Sequence, residues 1–111
     1  MMEMYVYNLD WDNFKKCLQE NDIVILGISS NSDILNGLFK GSLIKLNRIA
    51  NPKWVIGIME KDEFNLNSKM KKTGNLTPTI YIYKNQRLIK EVYGFKDYKR
   101  IYDEIEIEKA A

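Results

Sequence analysis

Three short apolar runs limit what this chain can fold into. They are Ile23-Val24-Ile25-Leu26-Gly27-Ile28, Trp54-Val55-Ile56-Gly57-Ile58-Met59 and Thr79-Ile80-Tyr81-Ile82-Tyr83. All are rich in β-branched or aromatic side chains, and none alternates with charged residues. A strand with one wet face alternates apolar and polar positions, whereas a strand covered on both faces reads as a continuous apolar run. Each run is therefore expected to be a central strand with helices above and below its sheet.

The intervening segments carry helical spacing. Trp11, Phe14 and Leu18 follow Asp10, a plausible N-cap, and Asn21-Asp22 ends the pattern. Ile34, Leu35, Leu38, Phe39, Leu43, Leu46 and Ile49 recur at helical intervals after Ser32 and Asp33, either of which can cap. Gly37 and Gly41 weaken that helix, and Asn51-Pro52 ends it. Phe64, Leu66 and Met70 predict a short helix closed by Gly74. Met4 to Tyr7 is a short first strand. Arg87 to Tyr93 faces the third apolar run across the polar turn Lys84-Asn85-Gln86, which reads as a hairpin. Tyr98, Ile101, Tyr102 and Ile105 share one face of a last helix that starts near Asp97.

The element order is then βαβαβαββα. Helices between the first three strands imply right-handed parallel crossovers, and the hairpin adds an antiparallel pair. The expectation is an α/β fold: a mixed central sheet of about five strands with helices on both faces. At 111 residues the chain is expected to form one domain, residues 1–111.

Composition removes several functions. No histidine occurs, which excludes histidine bases and histidine metal ligands, and Cys17 is the one cysteine. No intrachain disulfide, CxxC pair or cysteine-based zinc site can form, and neither a metal nor a cofactor is expected. Seventeen basic against 15 acidic residues leave a net charge of +2, too even for a nucleic-acid footprint. No apolar run approaches the roughly 18 residues of a membrane span. Met1-Met2-Glu3-Met4-Tyr5 has neither a basic n-region nor an apolar h-region, so no signal peptide is read and a cytoplasmic location is expected.

Three segments carry a family resemblance. Leu76-Thr77-Pro78-Thr79-Ile80-Tyr81-Ile82-Tyr83-Lys84-Asn85 is similar to the thioredoxin segment around its cis-proline. Val92-Tyr93-Gly94-Phe95 resembles the end of that family's last strand and its following glycine. Tyr7-Asn8-Leu9-Asp10-Trp11-Asp12-Asn13-Phe14 resembles the entry to its first helix. The resemblance to thioredoxins spans nearly the whole chain and implies their fold. It places the CxxC position within Ser29-Ser30-Asn31-Ser32-Asp33-Ile34-Leu35, where every register lacks cysteine. Thiol–disulfide exchange needs a thiolate, and a second thiol resolves the mixed disulfide; a serine hydroxyl does neither. The resemblance further implies a cis Thr77-Pro78 bond and a Thr77 backbone that meets an extended partner chain.

The remaining candidates have plainer readings. Cys17 lies on the stripe of the first helix, where a free thiol is usually a small hydrophobe. Ser29, Ser30 and Ser32 lack a histidine and do not match SxxK, whereas Ser42–Lys45 and Ser68–Lys71 match it without any companion motif. Lys69, Lys71 and Lys72 read as a solvated face or a greeting for an acidic partner. Tyr81, Tyr83, Tyr93, Tyr98 and Tyr102 read mainly as core. Glu60, Asp62 and Glu63 read as a charged loop without a calcium-loop pattern.

The functional expectation is a redox-inactive, thioredoxin-like module that binds a protein or peptide. Its contacts would be the loop Ser29, Ser30, Asn31, Ser32 and Asp33 and the edge at Thr77 and Pro78. The alternatives are a one-cysteine thiol-dependent enzyme and a structural domain that self-associates.

Overall fold

The computed structural model describes residues 6–30, 33–49, 54–68, 78–94 and 98–110, with side chains of the last segment described through 105. The elements follow the expected order: β1 (Tyr7–Asn8), α1 (Trp11–Glu20), β2 (Ile23–Ile28), α2 (Asp33–Ile49), β3 (Trp54–Met59), α3 (Lys61–Asn67), β4 (Thr79–Lys84), β5 (Arg87–Tyr93) and α4 (Tyr98–Ala110). They build one five-stranded sheet in the order β1-β3-β2-β4-β5.

All six residues of β2 are buried, because β2 pairs in parallel with β3 and antiparallel with β4 along its full length. The three apolar runs are thus the three interior strands. Their side chains alternate between two cores. Ile23, Ile25, Ile56, Ile80 and Ile82 pack with Phe39, Leu43 and Leu46 of α2 and Ile101 and Ile105 of α4. Val24, Leu26, Ile28, Met59, Tyr81 and Tyr83 pack with Phe14 of α1 and Phe64 of α3. Phe64 stacks on Tyr81 with centroids 5.0 Å apart, and Phe14 meets Tyr83 edge-on at 5.3 Å.

The sequence-based expectation differs in detail at three places. The first strand is Tyr7–Asn8, with Val6 buried ahead of it; Met4 and Tyr5 lie outside the described residues. In α3, Phe64 is buried but Leu66 points to solvent. Residues two apart in a helix are separated by about 200° around the axis, so Leu66 cannot share the face of Phe64. Met70 and Gly74 lie outside the described residues. In α2, Ile34, Leu38 and Ile49 are exposed, although they share the helical spacing of the buried residues.

Two glycines of the central strands are fixed by close packing. A side chain at Gly27 would collide with Phe39 and Leu43 of α2, and one at Gly57 with the Leu9 side chain as the chain leaves β1. The hairpin turn places both Asn85 and Gln86 at positive φ, 51° and 69°, the geometry that twists with the flanking strands. Asn85 N–H donates to the Asp22 carbonyl at 2.8 Å, tying the turn to the start of β2.

Gly57→Ala should cost about 1–3 kcal/mol through overpacking against Leu9. Gly37→Ala, with open space at its Cβ, should gain about 0.5–1 kcal/mol from helix propensity. Urea denaturation midpoints of the two variants should move in opposite directions.

Candidate functional site

The parallel strands β1, β3 and β2 all end on one side of the sheet, and β4 begins there. Ile28, the last residue of β2, pairs with Thr79, the first of β4. Ser29 therefore follows the end of β2 just where Pro78 leads into β4. Gly94 N–H donates to the Pro78 carbonyl at 2.9 Å, and Gly94 takes φ of 81°, a conformation that glycine adopts without a Cβ penalty. Two of the segments that resemble thioredoxins, around Pro78 and Gly94, thus meet through a hydrogen bond beside the β2–α2 corner.

The corner is held by a side chain not singled out from the sequence. Asn36, in the first turns of α2, accepts on Oδ1 from the Ser30 N–H at 2.7 Å and from the Ser30 hydroxyl at 3.0 Å. Its Nδ2 donates back to the Ser30 carbonyl at 2.8 Å. Ser29 N–H continues the sheet by donating to the Met59 carbonyl at 3.1 Å. Ser30 is buried, and its hydroxyl is engaged in fixing the loop. Asp33 begins α2 and is exposed. Of the expected contact residues, Ser29, Ser30, Asp33 and Pro78 are placed at this end of the sheet. Asn31, Ser32 and Thr77 lie outside the described residues, and with Thr77 the expected cis bond. Lys69, Lys71 and Lys72 lie outside them as well.

An open crevice of about 660 Å³ lies on the β3 side of the corner, lined by Asn8, Asp10, Ser29, Asn36, Lys40 and Glu60 among others. Its carboxylates are partly occupied in holding helix ends. Asp10 Oδ1 accepts from Asn13 N–H at 2.8 Å, which confirms the expected N-cap. Glu63 Oε2 accepts from Trp11 N–H at 3.0 Å. Glu63 therefore joins α3 to α1, a role that no local sequence signal announces, because the two residues are 52 apart in the chain. Among the described residues no group of three or more cysteine and acidic side chains is arranged to hold a metal.

Cys17 is far from this corner. It sits toward the end of α1, where its carbonyl accepts from Asn21 N–H, and α1 descends to the opposite end of the sheet, where β2 begins. It is half-buried beside the Phe14 core. Burial pushes its thiol pKa up and Glu20 adds to the shift, against a smaller opposite pull from Lys16. Tyr81, under Phe64, is pushed up to about 12 mainly by burial, with Tyr93 and Glu91 adding to it. Tyr83 moves further in the same direction. These tyrosines are neutral core residues.

Solved structures share this arrangement. A thioredoxin from Halobacterium salinarum NRC-1, as its N21Q mutant, superposes with a TM-score of 0.79 at 16% identity over 97% of this chain and 95% of its own. The chain has the thioredoxin fold. Chloroplastic thioredoxin z superposes with a TM-score of 0.75 at 14% identity, with all of both chains covered, and spinach chloroplast thioredoxin f with 0.72 at 19%, over 98% and 99%. No protein-family model and no curated protein sequence matches the chain. The thioredoxin-like fold comes here with one cysteine and no CxxC, and that cysteine lies outside the β2–α2 corner.

Asn36→Ala should destabilise the protein by about 1–3 kcal/mol, since it removes the acceptor of a buried N–H and hydroxyl and the donor to a carbonyl. Asn36→Asp keeps the acceptor and loses only the donor, and should cost less. Denaturant midpoints give the ranking, and faster amide exchange at Ser30 in Asn36→Ala locates the loss.

Proposed function

We propose that the protein is a redox-inactive thioredoxin-like binding module, acting in a reducing cytoplasm. It holds an extended protein or peptide at the β2–α2 corner and along the edge entering β4. The observation that carries this reading is the corner itself, where Ser29 and Ser30 stand in a loop clasped by Asn36 while the one thiol lies at the other end of the sheet. Dithiol exchange needs a low-pKa thiolate and a resolving thiol side by side. A hydroxyl locked to an amide, with no histidine in the chain, has no route to a nucleophilic oxygen.

A binding role needs only exposed backbone beside a fixed loop. The resemblance of Thr77-Pro78 to the thioredoxin proline segment supplies the first, with Thr77 offering backbone groups to an extended chain. The Ser30–Asn36 clasp supplies the second, since a loop already ordered loses less entropy on binding. No helix among the described residues is long and apolar enough to cross a membrane.

Insulin reduction with dithiothreitol should proceed at the uncatalysed rate, and Cys17→Ser should leave it unchanged. Partners retained on the immobilised protein should be lost with Ser29→Glu or Thr77→Pro and kept with Cys17→Ser. Insulin reduction well above background that vanishes in Cys17→Ser would make the protein a one-cysteine enzyme and overturn the reading.

A further inference from the structure

The first six residues of α2 are attached to the fold differently from the rest of the helix. Its buried side chains begin at Phe39 and continue with Ser42, Leu43 and Leu46. From Asp33 to Leu38 no side chain is buried: Leu35 and Asn36 are half-buried and the others are exposed. Gly37 sits inside this stretch, where a Cβ would meet nothing within 4 Å. Packing therefore does not require a glycine there, while glycine lowers the local helix equilibrium about two- to fivefold relative to alanine. Three hydrogen bonds between the Asn36 side chain and Ser30 tie the stretch to the loop after β2, and Ser30 is itself buried.

We propose that residues 33–38 open and close as one unit on an otherwise intact fold, latched by Asn36 and ending ahead of Phe39, and that this opening regulates the β2–α2 corner. Helical hydrogen bonding defines the unit. An α-helical N–H bonds to the carbonyl four residues back, and the first four N–H groups have no helical acceptor. Opening residues 33–38 thus releases the N–H groups of Gly37 to Ser42 and, as Asn36 withdraws, that of Ser30. The core stays closed, because Phe39 remains seated over Gly27 of β2. A stretch that buries little apolar surface opens at a lower cost than global unfolding. Asn36 and Gly37 also line the open crevice, so the open form widens it and frees the corner loop. A partner that binds the clasped loop draws the equilibrium toward the closed form, and the latch sets the fraction of molecules competent to bind. As regulation, the inference rests on the proposed binding at the corner; the opening itself does not.

Native-state hydrogen exchange of the intact chain, followed by NMR across low urea concentrations, tests this. The Ser30 amide and those from Gly37 to Ser42 should share one opening equilibrium that depends little on urea. Ile25 and Leu26 in β2 should exchange only through global unfolding, with a steep dependence. Asn36→Ala should lower the protection of the whole set together, at least about tenfold, the effect of losing a buried polar partner. Gly37→Ala should raise it about two- to fivefold. Phe14→Leu, in the opposite core, should lower the protection of Ile25 and Leu26 and leave the set unchanged. The proposal is overturned if the set follows the urea dependence of Ile25 and Leu26 or falls with them in Phe14→Leu. It is also overturned if Asn36→Ala frees Ser30 alone. None of these outcomes bears on the insulin and retention experiments, which test the binding reading separately.

Discussion

The rest of the molecule depends on the burial of β2 on both faces and both edges. Its six residues are enclosed by β3 and β4 in the sheet, and by α2 on one side and the Phe14–Phe64 layer on the other. Each aliphatic side chain removed from water there contributes about 1.5–3 kcal/mol. A one-residue slip would exchange the side chains of the two cores, so the register is strongly specified. That register sets the end of β2 beside the start of β4 and thereby brings Ser29 next to Pro78. The geometry of the candidate site is thus a consequence of the pairing and packing of β2.

Features that repeat along the chain were legible in the sequence. The runs at Ile23, Trp54 and Thr79 are interior strands because no other placement covers their side chains, and the strand boundaries agree to within a residue. The Asp10 cap is a local signal and is read correctly. What the sequence hid depends on partners distant in the chain. Ile34, Leu38 and Ile49 have the same spacing as the buried face of α2, and only the position of the sheet decides which stripe is covered. Leu66 differs, since helix geometry alone sets it on the side of α3 opposite Phe64. Asn36 is an ordinary polar helical residue until Ser30 folds back on it, and Glu63 is an ordinary acidic one until α1 lies beside it.

The thioredoxin fold usually brings to mind a dithiol, because the β2–α2 corner sets cysteines at a helix start. In this chain the corner carries serine, and Ser30 and Asn36 are hydrogen-bonded to each other. The thiol that remains is placed where its neighbours disfavour the charged form. Burial and Glu20 both act against the thiolate, and Lys16 offsets them only in part. The scaffold rests on apolar strands, whereas the stretch at the β2–α2 corner, residues 29–35, contains no cysteine.

The most direct measurement of that separation is the pH dependence of Cys17 alkylation in the folded protein. Iodoacetamide reacts with the thiolate, so the rate follows the fraction ionised. The account predicts slow alkylation at neutral pH and a midpoint above the ordinary cysteine value, with the rate rising toward that of a free thiol when the protein is unfolded in urea. Rapid alkylation at neutral pH with a midpoint below the ordinary value would show an activated thiolate and contradict the account.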